Sequence, residues 1–160
     1  MSSLPVRLLL VASALLAIGG IGIASYLTVV HFADQPIVCS GIGDCEKVNS
    51  SSYAKLAGIP VAVLGLSSYV TMLLLALGAL VRRDAMLVAA AWGIALASFG
   101  FSMYLTYIEL EVLDAICVWC VASATVVTAM LVALSACVWI VRDDVMGVPA
   151  GPSDAMPEGE

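Results

Sequence analysis

The sequence predicts an all-α membrane protein: a bundle of four transmembrane helices with a short surface helix in the first outer loop. Of its 160 residues, 62% are hydrophobic and only 11% are charged, whereas a soluble domain is about 45–50% apolar and about 25% charged. The charged residues cluster in short polar segments that separate four uncharged apolar runs. Each run is longer than the roughly 20 residues that a helix needs to cross a bilayer. The runs cover residues 8–30, 56–81, 85–108 and 115–141.

The first run, residues 8–30, also has features of a secretory signal. Arg7 precedes it, and it contains the small-residue triplet Ala12-Ser13-Ala14. The apolar region of a signal is about 7–15 residues long and ends at the cleavage site. Because this run continues without a charge to Val30, it predicts a first span that is retained in the mature protein.

The segment between the first two spans is half apolar. From Val48 to Ala57 it predicts a short helix that lies on the membrane surface and caps the bundle. Gly58 is expected to end this helix, and Pro60 to start the second span, which we place at residues 59–81. The remaining two spans coincide with the third and fourth apolar runs, so residues 1–141 form one membrane domain.

The basic residues predict the orientation of the bundle. With four spans, the two termini and the loop between spans two and three share one side, and Lys and Arg favour the cytoplasmic side. That side carries four basic residues and the opposite side two, so the termini are expected in the cytoplasm. The four are Arg7, Arg82, Arg83 and Arg142, and the two are Lys47 and Lys55. The tail, residues 142–160, is rich in Pro, Gly and acidic residues and is expected to be disordered.

Four of the five cysteines fall on the predicted outer side. Cys39 and Cys45 form C-S-G-I-G-D-C in the first loop, and Cys117 and Cys120 form C-V-W-C at the start of the fourth span. An extracytoplasmic compartment permits disulfides. Two cysteine pairs on the same side are the minimum that is needed to pass electrons from one pair to the other by thiol–disulfide exchange.

Local sequence refines the chemistry of each pair. Gly41 and Gly43 allow the short ring of the loop pair to close. Asp114 is a plausible N-cap for the fourth span, which would place Cys117 in its first turn, where backbone N–H groups favour thiolate. Cys120 lies one turn deeper, where an apolar electron acceptor dissolved in the bilayer would meet it.

Several residues have simpler interpretations. Both cysteine pairs fit structural disulfides in a non-enzymatic tetraspan scaffold. A tetrathiolate zinc site is disfavoured because the loop pair lacks C-x-x-C spacing, and we predict no metal. Cys137, near the inner end of the fourth span, is expected to be a small buried hydrophobe. His31 is either a proton carrier or simply a polar helix end.

Four segments together resemble one known family. The loop cysteine pair is followed by S-S-S-Y-A, then by G-I-P-V-A-V-L-G, Y-L-T-Y-I-E-L and A-I-C-V-W-C. This order resembles the vitamin K epoxide reductase family, specifically its compact bacterial members, over residues 8–141. The match is specific because the order of the cysteines, their flanking segments and the four-span layout agree together.

The resemblance implies an electron relay that ends on a quinone. In such proteins the loop pair oxidises a thioredoxin-fold partner, and the C-x-x-C reoxidises the loop pair and then reduces a quinone, menaquinone or ubiquinone. Carried over by position, Cys39 meets the partner, Cys45 exchanges with Cys117, and Cys120 faces the quinone. Ser51 matches a family serine near the quinone site.

Two departures from the family pattern shape these expectations. Ala124 stands where the animal enzymes have a tyrosine, which favours simple quinone reduction over reduction of vitamin K epoxide. No thioredoxin-like domain follows the fourth span before Glu160, so the expected partner is a separate DsbA-like protein. We therefore expect an enzyme of the bacterial inner (plasma) membrane that contacts lipid and quinone and binds no nucleic acid.

Overall fold

Four long helices form the bulk of the protein. The computed structural model describes residues 4–33, 37–39 and 44–146. Within that part, four helices are long and apolar enough to cross a membrane, which confirms the predicted four-span bundle. They are α1 (Leu4–Ala33), α3 (Val61–Arg82), α4 (Ala85–Glu111) and α5 (Val118–Met146), and a short helix α2 (Cys45–Asn49) lies between α1 and α3.

The four long helices pack as a four-cornered bundle. α1 contacts α3 and α5, and α4 contacts the same two helices, so α1 and α4 lie on opposite corners. Alanines occupy many of the buried positions between helices, among them Ala17, Ala24, Ala76, Ala91 and Ala95. Small residues let helix backbones approach closely, which is the usual packing of membrane helices. α1 is therefore an integral member of the bundle.

One glycine is required by the packing of α1 on α3. A Cβ atom placed on Gly20 would meet the ring of Tyr69, with the ring Cζ at 2.7 Å. Tyr69 is buried, and its hydroxyl reaches across to α5, where it hydrogen-bonds the carbonyl oxygen and Oγ of Ser123, both at 2.9 Å. Gly20 thus makes the space in which the ring of Tyr69 crosses the bundle interior.

The outer segment before α3 differs from its prediction. The expected short helix exists as α2, but it begins earlier than predicted and ends at Asn49. A 3₁₀ turn follows at Ser52–Ala54, and then β1 (Lys55–Leu56) pairs antiparallel with β2 (Ile59–Pro60). Ala57 and Gly58 form the turn with φ of 51° and 84°, the pattern of a two-residue hairpin. A residue before proline favours extended backbone, so Ile59 enters a strand.

The connections at the other end are short and well capped. Arg83 ends α3 in the left-handed conformation and donates its N–H to Ala79 O (2.9 Å). Asp84 caps α4, because its side chain accepts the N–H of Met86 (2.8 Å). α5 continues to Met146, beyond the predicted end at residue 141. Residues 147–160 of the predicted tail lie outside the described residues.

Candidate active site

The two loop cysteines are joined. Cys39 and Cys45 form a disulfide with their Cα atoms 6.3 Å apart, as the loop spacing predicted. Cys45 is the first residue of α2 and its side chain is buried, whereas Cys39 is partly exposed. Gly41 and Gly43, between them, lie outside the described residues. The pair thus has one sulfur accessible from outside and one directed into the protein.

The C-x-x-C pair begins α5 in a way that corrects the sequence prediction. Cys117 immediately precedes the helix and its carbonyl oxygen accepts the N–H of Val121 (3.0 Å), so Cys117 itself is the N-cap. Its Sγ accepts the backbone N–H of Cys120 (3.4 Å). The prediction that Asp114 is the N-cap is wrong, because Asp114 lies three residues before Cys117 and has a φ of 45°.

The Cys117 position favours thiolate for two reasons. A helix N-terminus stabilises negative charge. A hydrogen bond from the Cys120 side chain also lowers the pKa of the Cys117 thiol below its ordinary value, although burial opposes this. A thiol with a lowered pKa is a better leaving group in disulfide exchange. Cys117 is therefore suited to be the leaving group when another thiol attacks a cysteine that is disulfide-bonded to Cys117.

A buried carboxyl group holds the backbone that leads into Cys117. Glu109, in the last turn of α4, is only 5% exposed, and its Oε2 accepts the N–H of Cys117 (3.1 Å). Its carbonyl oxygen accepts the N–H of Ala115 (3.0 Å). These two bonds fix the approach of the chain to α5. Sequence reasoning missed Glu109; its signal was a single acidic residue inside the otherwise apolar segment Y-L-T-Y-I-E-L.

A backbone hydrogen bond connects the two cysteine pairs. The N–H of Asp44 donates to the carbonyl oxygen of Ile116 at 3.0 Å. Cys45 follows Asp44, and Cys117 follows Ile116, so each end of this bond is one residue away from a buried cysteine. The fold therefore brings together the backbone positions that directly precede Cys45 and Cys117, the two residues that the family resemblance assigned to exchange.

A second set of bonds holds the chain just before Cys39. The N–H of Val38 donates to the hydroxyl of Tyr26 in α1 (3.1 Å), and the Nε1–H of Trp119 donates to the carbonyl oxygen of Val38 (3.1 Å). The rings of Tyr26 and Trp119 are in contact, with centroids 4.8 Å apart. Trp119 lies inside the C-V-W-C motif, so that motif also positions the loop pair.

The two hydrogen bonds that hold Val38, one to Tyr26 and one from Trp119, form a clamp on the chain before Cys39. The substitution Trp119→Phe tests this clamp. The variant loses the bond to Val38 while keeping an aromatic ring against Tyr26. One neutral hydrogen bond contributes about 1 kcal/mol, so we expect exchange between the two pairs to slow by roughly fivefold. The rate is measured as reoxidation of a reduced loop pair by an oxidised C-x-x-C pair in stopped flow. Trp139→Phe, an exposed tryptophan further along α5, is the control. Equal rates in both variants would contradict a positioning role for Trp119.

A cavity of about 340 Å³ lies against the C-x-x-C pair and is lined mainly by apolar side chains. Cys117, Cys120 and Glu109 lie on its wall, and Ser51 lines it from the outer segment. The phenol of Tyr69 and the hydroxyl of Ser123 add polar atoms. Ser51 donates its hydroxyl to the carbonyl oxygen of Val48 (2.7 Å). Both residues predicted to bind a quinone, Cys120 and Ser51, therefore border the same space.

The remaining candidates lie away from this cavity. Cys137 is fully buried in the core with its Sγ 3.9 Å from the carbonyl oxygen of Val6, as expected of a small core residue. His31 lies at the end of α1 and packs edge-on against Phe32. Among the described residues, no three His, Cys, Asp or Glu side chains form a group that could hold a metal.

Comparison with known families agrees with this arrangement. The model of the vitamin K epoxide reductase family matches residues 11–135 of the 160. The chain belongs to the vitamin K epoxide reductase family. The match spans the disulfide, the outer segment, Glu109 and the C-x-x-C pair. Membership in this family, together with the four apolar helices, makes the protein a multi-pass membrane thiol oxidoreductase.

Proposed function

We propose that this vitamin K epoxide reductase family member is a quinone-dependent thiol oxidase. It reoxidises a separate DsbA-like thioredoxin-fold protein and so drives disulfide formation in exported proteins. The observation that carries the proposal is the connection between the two cysteine segments. The Asp44–Ile116 hydrogen bond holds the segment of the loop disulfide against the segment of the C-x-x-C pair, and that pair borders an apolar cavity. A purely structural disulfide needs neither this connection nor the cavity.

The relay follows the chemistry of thiol–disulfide exchange. A thiolate of the reduced partner attacks the accessible Cys39 and releases Cys45. The second thiol of the partner attacks the partner–Cys39 disulfide, which releases the oxidised partner and frees Cys39. Cys45 attacks Cys117 of an oxidised C-x-x-C pair and releases Cys120. Cys39 then attacks Cys45, which releases Cys117 and restores the loop disulfide. The lowered pKa of Cys117 favours this last release. The C-x-x-C pair is left as two thiols that carry the electrons of the partner.

The cavity wall fits the final acceptor. Ligand sites for flat apolar molecules are mostly hydrophobic and carry a few polar groups that set orientation. Here the polar groups include Ser51, Tyr69, Ser123 and Glu109, and Cys120 supplies the reacting sulfur. A bound quinone accepts two electrons and two protons, which is what a dithiol releases when it becomes a disulfide.

The orientation of the bundle in the membrane decides which proteins can reach the cysteine pairs. The excess of basic residues near the termini and the α3–α4 connection supports a cytoplasmic location for that side. The cysteine pairs then face the extracytoplasmic side of a bacterial plasma membrane. A DsbA-like partner on that side has direct access to Cys39, which is partly exposed, but not to the buried Cys45 and Cys117.

Anaerobic mixing tests the proposed reaction. We expect fully reduced, purified protein to convert ubiquinone or menaquinone analogues to quinols, with two quinols formed per protein because two dithiols become disulfides. Protein whose thiols have been alkylated after reduction is the control and is expected to form none. Absence of quinol formation with both analogues, or disulfides that resist mild reductant, would instead favour a structural scaffold.

A further inference from the structure

Glu109 occupies an unusual position for an acidic residue. It is 5% exposed in the last turn of an apolar helix, and it borders the cavity. Among the described residues that line this cavity there is no Lys, Arg or His to neutralise it. A buried carboxylate without a cationic partner is costly to retain. Its position therefore needs an explanation beyond packing.

The contacts of Glu109 point to the reacting thiols. One carboxyl oxygen accepts the backbone N–H of Cys117 at 3.1 Å, and Cys120 borders the same cavity as the carboxyl group. Glutamine would accept the Cys117 N–H equally well through its amide oxygen. What glutamate adds at this position is the capacity to take up and release a proton, beside a thiol that must lose one.

We propose that Glu109 is the proton acceptor for Cys120 when the Cys117–Cys120 disulfide forms. The S–H bond of Cys120 breaks, its proton moves to the Glu109 carboxylate, and a new S–S bond joins the two sulfurs. The electron pair passes to the quinone, which is the oxidant of the proposed function, and Glu109 returns the Cys120 proton to it. The second proton of the quinol comes from the Cys117 thiol or, when Cys117 is a thiolate, from solvent. This inference deepens the proposed function, since it rests on oxidation of the C-x-x-C pair.

The test isolates this step from the quinone and from the loop pair. Cys39, Cys45 and Cys137 are replaced by Ser, Ser and Ala, so that only the C-x-x-C thiols react. The reduced protein in detergent is mixed with 4,4′-dithiodipyridine, a small apolar disulfide. Each mole of reduced pair releases two moles of thiopyridone, the first on attack and the second on ring closure. The rate of the second release is followed across pH.

We expect Glu109→Gln to slow ring closure about 100-fold at neutral pH, because a positioned general base typically contributes at least that factor. The rate should then rise about tenfold per pH unit, since solvent base must remove the proton. The other titratable groups at the site are the thiols of Cys117 and Cys120 and the phenols of Tyr53 and Tyr69. The Glu109→Gln variant keeps all four of these groups.

Two companion variants complete the experiment. Glu111→Gln, which removes an exposed carboxyl two residues away, should leave the rate unchanged. Glu109→Asp keeps a carboxylate at a greater distance and should be slower by a smaller factor, with the pH profile of the parent. If Gln does not fold, an Asp variant that closes the ring as fast as the parent would overturn the proposal. Equal rates in all variants, or a Gln variant that is slowed but keeps the pH profile of the parent, would also overturn it. Because no quinone is present, failure of quinone reduction leaves this result unaffected.

Discussion

Replacement of Cys120 by Ala is expected to reduce quinone reduction to the uncatalysed background. Cys120 borders the cavity, and Cys117 without it cannot form the disulfide that accompanies electron release. The loop pair should still exchange once with a thioredoxin-fold partner, because the Cys39–Cys45 disulfide does not depend on Cys120. Quinol formation and release of oxidised partner are measured on the same sample.

A matched control separates this loss from a general effect of removing a thiol. Cys137 is also on α5 and fully buried, yet it lies away from the cavity, so Cys137→Ala should turn over quinone at the rate of the unmodified protein. Single-round exchange in the Cys120→Ala protein shows that it has folded. Undiminished quinone turnover in Cys120→Ala would remove Cys120 from the mechanism.

The architecture was largely predictable because lipid imposes simple rules. Uncharged runs longer than a bilayer require helices, and the four runs became α1, α3, α4 and α5. The pairing of Cys39 with Cys45 followed from their short separation and was confirmed. Membership in the vitamin K epoxide reductase family followed from the order of the cysteine motifs and their flanking segments.

Features of the site that depend on contacts between residues distant in sequence could be seen only in the structure. The sequence assigned the cap of α5 to Asp114 from residue type alone, whereas hydrogen bonds accepted by Glu109 from Ala115 and Cys117 hold the chain outside the helix until Cys117. The clamp on Val38 joins α1, the outer loop and α5. Neither arrangement leaves a periodic signal, since each depends on tertiary packing. The turn at Ala57 and Gly58 was missed because its residues also fit the end of a helix.

The electron path itself predicts a trapped intermediate. When Cys45 and Cys117 are joined, the bond is broken from the loop side only by Cys39 and from the helix side only by Cys120. In Cys39→Ser the forward route is closed, so the crossed disulfide should accumulate while quinone keeps the C-x-x-C pair oxidised. The Asp44–Ile116 hydrogen bond already brings the adjoining backbones together.

Cleavage between the pairs makes this intermediate visible. Arg82 and Arg83 are exposed at the end of α3, and a protease site inserted there divides the chain between Cys45 and Cys117. Cys137 is replaced throughout to exclude its pairing. Oxidised protein with all four remaining cysteines is paired within each fragment and should separate on a non-reducing gel. The Cys45→Ser variant, which lacks the exchanging thiol, should separate as well.

The mobility of the two Cys39→Ser fragments is the most direct measurement of the relay. They are expected to run together without reductant and to separate with it, and mass spectrometry of the joined species should identify a Cys45–Cys117 peptide. If the fragments separate without reductant, under conditions in which the protein with all four cysteines turns over quinone, then Cys45 and Cys117 do not exchange and the proposed electron path is wrong.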